Sequence, residues 1–132
     1  MSLDMDNRKA VVDYRKEKAD AALEDADFLA QAGKYNLAAN RLYYALYYAC
    51  TALLISKEIP TKRHAGMIAQ ISRHFVKTGV LSVDDGKLIK VMFNLRHEGD
   101  YEDFVDVQAE DLEEFTPLVR SLVRKLKGLT EI

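Results

Sequence analysis

"LAANRLYYALYYACTALLI", residues 37–55, carries one formal charge, Arg41, over nineteen positions. It does not alternate with period two, so it reads as a helix rather than a strand. Its length alone would let it span a bilayer. However, Asn40, Arg41 and the tyrosines at 43, 44, 47 and 48 would be costly in hydrocarbon, and no other segment is apolar enough to accompany it. The better reading is a central helix buried nearly all round by its own domain, with a second copy of the chain as further cover. No membrane association is expected.

The flanking sequence is helical as well. Ala19, Ala22, Leu23, Ala26, Leu29 and Ala30 form the stripe of a first helix over about 5–32, stopped by Gly33. The apolar helix spans about 36–56, with Asn36 as its expected N-cap, and Pro60 breaks the chain after it. Met67, Ile68, Ile71 and Phe75 predict a third helix over about 63–77, ended by Gly79. Ser82 with Asp85 three residues on resembles a capping box and opens a fourth helix over about 83–97. Asp106 is the expected cap of a last helix reaching about 127, with Leu112, Phe115, Val119, Leu122, Val123 and Leu126 as its stripe. Pro117 should kink or split that helix. The expected fold is all-α: one domain over 1–132, its core about 5–127, forming a compact bundle of four to five helices.

A chain of 132 residues buries roughly two thirds of its surface. The net charge of −2 provides no global field to recruit nucleic acid or an anionic membrane. One cysteine, Cys50, excludes an intrachain disulfide framework. With no apolar signal-peptide core at the N-terminus, the expected location is cytoplasmic. Charge is uneven along the chain. Residues 57–77 hold five Lys/Arg against one acid, 98–114 hold nine acids and no Lys/Arg, and 120–127 hold four Lys/Arg and no acid. Helix-dipole matching accounts for the last two runs. The basic third helix offers either a solvated face or a phosphate-facing surface.

"NLRHEGDY", residues 94–101, raises a different question. Leu88, Val91, Met92 and Leu95 are spaced as one helical face, and Arg96 falls almost on it, four residues after Met92. A guanidinium on a core-facing phase needs hydrogen-bonding partners, because an unpaired buried charge is very costly. Glu98, Asp100 and Tyr101 are candidates for Arg96, and the tyrosines around Tyr44 for Arg41. Each arginine is then either a structural tie or an anion hook whose planar fork matches phosphate. In a symmetric dimer two such hooks would face each other. Tyr43, Tyr44, Tyr47 and Tyr48 are expected to pack in core or interface with hydroxyls reaching polar partners, base stacking being the alternative. His64 follows Lys62 and Arg63 at a helix start, a place suited to a structural cap or to an anion. His74 reads as an exposed helical residue. The three histidines lack ligand spacing and Cys50 stands alone, so no metal is expected, and no cofactor motif is present.

Three segments together resemble the small stand-alone HEPN-domain proteins of bacteria and archaea. These are the A-x-x-R-x-Y-Y-A helix from Ala38 to Ala45, the K-R-H segment Lys62 to His64, and the L-R-x-x-x-x-Y segment from Leu95 to Tyr101. The similarity extends over roughly 10–125. It implies a helical bundle that dimerises, with the ends of both fourth helices in a shared cleft. Many HEPN domains are metal-independent RNases using an R-x(4–6)-H pattern. Others are catalytically silent partners of minimal nucleotidyltransferases in two-gene toxin–antitoxin modules.

Carried over, Arg96 is the motif arginine and His97 the polar position after it, while the histidine position falls on Tyr101, Glu102 or Asp103. A tyrosine with an ordinary pKa near 10 is a poor general base at neutral pH. His97 lies about 100° round the helix from Arg96. The resemblance therefore implies Arg96, His97 and Tyr101 as candidate catalytic residues. Arg41, Tyr44, Lys62, His64, Arg96 and Asp100 are the candidates for anion or nucleotide binding. The expected function is a non-catalytic or weakly active component of a toxin–antitoxin or nucleotidyltransferase-associated module. Such a component would form a homodimer and bind a nucleotide, RNA or a nucleotidyltransferase. The alternatives are an RNA endonuclease toxin using Arg96 with His97 or Tyr101, and a purely structural helical adaptor.

Overall fold

The computed structural model describes residues 4–101 and 106–131, with 96–101 described by backbone alone. Five α-helices follow in order: α1 (Met5–Gln31), α2 (Tyr35–Ser56), α3 (His64–Ile71), α4 (Val83–Tyr101) and α5 (Ala109–Gly128). A π-helical turn, Ser72–Val76, continues α3. Among the described residues there is no strand, and no helix is long and apolar enough to cross a membrane.

Helix α2 organises the bundle. Thirteen of its 22 residues are buried, more than a single stripe of a surface helix supplies. It therefore needs partners on several sides, and α1, α5, α4 and α3 all pack against it. α1 contributes mostly small side chains, Ala19, Ala22 and Ala26 beside Val12 and Leu23, which lets two long helices approach closely. α5 contributes Leu112, Val119, Leu122, Val123 and Leu126, as its stripe predicts, and runs through Pro117 as one element.

The helix ends show which local signals held. Gly33, at φ 76°, closes α1, with its N–H donating to Ala30 and that of Lys34 to Leu29. Ser82 and Asp85 form the expected reciprocal box, with N–H···O distances of 3.0 and 2.9 Å. Asn36 is not the cap of α2; that position is Lys34, without a side-chain bond. Instead the Asn36 carboxamide accepts from the Val107 N–H at 2.8 Å and donates to Asp106 at 3.5 Å, tying the approach to α5 onto the start of α2. Asp106 is thus occupied by Asn36, and α5 is capped by a Gln108–Asp111 box.

Two registers also differ from expectation. The third helix is not a single α-helix over 63–77. Met67, Ile71 and Phe75 are spaced by four, a spacing that drifts by about 40° per step in α geometry. The wider π turn takes up this drift and leaves all three buried. On α4 the expected face is met at Met92, which is buried, and at Leu88 and Leu95, half-buried against the core. Val91, however, is 43% exposed, and Ile89, buried, and Phe93, half-buried, extend the face on the other side. The backbone register puts position 96 in line with Ile89, Met92 and Phe93.

The basic run of α5 does more than match the helix dipole. Arg120 pairs with Asp27, Lys127 with Asp20 at 2.7 Å, and Lys125 with Asp85 at 2.8 Å. Burial opposes the charge of Asp85, but hydrogen bonds from Lys125, the Ser82 N–H and the Ser82 hydroxyl outweigh it and hold the carboxyl below its ordinary range. A lowered folded pKa stabilises the protein above about pH 4, and that stability is lost as pH falls through the folded value. Asp85→Asn should therefore cost about 1 kcal/mol at neutral pH. Urea unfolding across a pH series should show the difference from wild type shrinking as pH falls below the ordinary carboxylate range; a difference constant with pH would refute the assignment.

Candidate functional site

The side chain of Tyr43 is wholly buried in α2. A buried hydroxyl without a partner loses the free energy of its hydration, so the position needs a polar neighbour. That neighbour is Nδ1 of His64, the first residue of α3. The imidazole is half-buried and gripped by aromatic rings. It stacks on Tyr47 with centroids 4.3 Å apart and planes 16° from parallel, lies offset over Tyr43 at 5.6 Å, and meets Tyr44 edge-on at 5.9 Å. Phe93 of α4 lies 6.4 Å away, its ring tilted to the imidazole. α2, α3 and α4 therefore meet at one ring.

Tyr44 links this imidazole to Arg41. The guanidinium lies over the Tyr44 ring at 4.8 Å and donates to the side-chain oxygen of Asn40 from Nη2 at 2.8 Å and from Nε at 3.3 Å. The demand that a charge on α2 find partners is thus met by the residue just before it and by the residue three further on. The aromatic row continues through Tyr48, 6.0 Å from Tyr44, to Arg15 of α1, whose guanidinium lies 5.9 Å from the Tyr48 ring and donates to Thr51 at 3.4 Å.

Arg41, Tyr44 and His64, three of the predicted binding residues, are therefore brought together. Lys62 is not part of that cluster: it is exposed and lines a shallow depression with Thr61, Gly66, Gln70 and Arg73. The side chains of Arg96, His97, Asp100 and Tyr101, the other candidates, lie outside the described residues; the α4 backbone carries Arg96 one turn beyond Phe93. His74 is exposed, as expected. Sequence reasoning missed Asn40, Phe93 and Arg15, and it did not single out Tyr43 as the anchor of His64. Helical phase marks Phe93 once the register of α4 is known, since it lies three residues before Arg96.

Chemically, the cluster offers a guanidinium, an imidazole and several ring faces, a combination suited to an anion attached to a flat group. Among the described residues no three His, Cys, Asp or Glu side chains converge in a way that would hold a metal ion. Cys50 is buried, which pushes its thiol far up and leaves it unreactive. Tyr43→Phe should destabilise the fold by about 1 kcal/mol through loss of the hydrogen bond to His64. The same change at Tyr14, 56% exposed, should stay within about 0.5 kcal/mol. Chemical denaturation of the two variants makes the comparison, and equal effects would refute the role of the Tyr43 hydroxyl.

Comparison with known proteins agrees with this architecture. Residues 12–129 match the HEPN domain family. A UPF0332 protein of Thermotoga maritima is 33% identical over 127 residues, covering 96% of this chain and 91% of its own length. A Methanocaldococcus jannaschii protein provisionally named a toxin is 34% identical over 97 residues, 74% of this chain and 66% of its own. A second protein of that organism, named in the same way, is 35% identical over 85 residues, 64% of this chain and 63% of its own. The chain thus spans about two thirds of these toxin-named relatives and nearly all of the Thermotoga protein. With the family match running from the first turns of α1 to the end of α5, the chain belongs to the HEPN domain family.

Proposed function

We propose that this protein is the HEPN component of a cytoplasmic toxin–antitoxin or nucleotidyltransferase-associated module. In this reading it acts as a homodimer that binds a phosphate-bearing ligand, a nucleotide or RNA, with little or no catalysis of its own. The observation that carries the reading is the convergence of Arg41, Tyr44 and His64, from two helices, beside α4. An arginine fork suits phosphate oxygens, and tyrosine rings suit a base. The names of the Methanocaldococcus relatives support the class of module. The HEPN pattern would add Arg96 as a second guanidinium, and the lack of a histidine at its R-x(4–6)-H position favours the silent members over the RNases.

Co-expression with a minimal nucleotidyltransferase encoded beside its gene, followed by affinity purification, should yield a complex that survives gel filtration. No complex with that partner would contradict the module assignment. RNA cleaved by the wild type and spared by folded Arg96→Ala would replace the silent reading with the endonuclease one.

A further inference from the structure

We propose that the groove between the π turn and α4 docks an acidic amphipathic helix of a partner protein, with apolar side chains on the groove floor and carboxylates on the lysines at its rim. The groove holds about 190 Å³. None of Arg41, Tyr44 and His64 lines it, so the inference goes beyond the phosphate-binding reading and does not rest on it. Its surface is aliphatic, with Ile68 and Val76 on one side and Val83 and Ile89 of α4 on the other. Ser72 and Val76, the two ends of the π turn, both line it, so the turn that buries Phe75 also shapes this wall. Gly86 lets α4 close on that wall, because a Cβ there would lie 3.1 Å from a Val76 methyl. The apolar surface continues into solvent: Val83 is 64% exposed, and Val80, three residues earlier, 45%. An aliphatic strip of this kind beside a groove is what a helix covers when it inserts side chains spaced by three and four.

Charge selects the occupant. Lys87 and Lys90, one turn apart on α4, are exposed and line the groove. Arg73 lies on the π turn and Lys77 at its end, both exposed. None of these four cations pairs with a carboxylate among the described residues, whereas three cations of α5 do. The stretch 59–95, which supplies both walls, holds six Lys/Arg against two acids, in a chain that totals 19 against 21. Of those two acids, Asp85 is held by Lys125, and neither lines the groove. An acidic partner is therefore matched and a basic one repelled. Nucleic acid is the other polyanion, but single strands are held by bases stacked on aromatic rings, and no aromatic residue lines this groove. The volume is also below the roughly 300–1,000 Å³ that encloses a small ligand.

The probe is a labelled helical peptide with leucines at i, i+3, i+4 and i+7 and glutamates between them, followed by fluorescence anisotropy and by methyl NMR shifts. Wild type should bind it, with shifts at Ile68, Val76 and Val83. Lys87→Glu combined with Lys90→Glu should weaken it about tenfold. Val83→Asp should do the same, and an acid is tolerated at that place, in the first turn of α4. All three positions are exposed, so cooperative unfolding should persist in both variants. A peptide of equal composition with its leucines scattered round the helix should bind about tenfold more weakly. Equal binding of the two peptides means charge attraction alone and overturns the groove. An oligouridine that moves the same methyls at lower concentration than the peptide makes the occupant a nucleic acid, which also overturns the proposal. If the peptide does not bind at about 1 mM, or shifts methyls elsewhere, the docking inference falls while the reading of the Arg41 cluster stands, since AMP binding tests that cluster separately.

Discussion

A hydroxyl group buried in the most apolar helix of a bundle must find a partner, and the placement of α3 follows from where Tyr43 finds one. α2 is enclosed on several sides, so most of its polar atoms cannot turn to water. Ser56 bonds back to the Leu53 carbonyl and Thr51 to that of Tyr48, both within the helix. Tyr43 cannot do this with a hydroxyl at the end of a rigid ring, so it reaches another element. His64 meets it, and the aromatic neighbours of α2 close around the imidazole. The cluster with Arg41 is thus built from the same side chains that make α2 the core. Packing and site share one set of tyrosines.

Much of the bundle was legible in the sequence because its signals are local. The six-residue stripe of α5, the glycine closing α1 and the Ser82–Asp85 box each depend on residues a turn or two apart. Errors arose where a distant group outbid a local one. Asn36 is a good cap by type, but its amide serves Val107, 71 residues away, and Asp106 is drawn into the same contact. The register of α4 was ambiguous for another reason. Leu88, Ile89, Val91 and Met92 are all apolar and support two overlapping faces, so only the neighbouring helices could select the one with Ile89 and Met92 inside.

The site was legible in part for the same physical reason. Arg41 and Tyr44 lie three apart on one helix, and their contact is what α-helical spacing dictates. His64 and Tyr43 are 21 residues apart, across a helix end, an extended segment and a helix start, so no periodicity joins them. The charge runs divide in a similar way. The basic end of α5 suits the helix dipole, and three of its cations also reach carboxylates on α1 and α4. Two of the acids before α5 serve structure: Asp106 takes the Asn36 amide and Asp111 closes a cap.

The claim beneath all of this is that α2 is the enclosed axis of the domain, and native-state amide hydrogen exchange tests it most directly. Amides between Leu42 and Leu54 should exchange only through global unfolding, with a free energy equal to that from denaturant titration, and none in α1 or α5 should be slower. If α2 instead exchanged by local opening, faster than α1 or α5, the enclosed-axis account would be contradicted, and with it the reason given for the Tyr43–His64 contact.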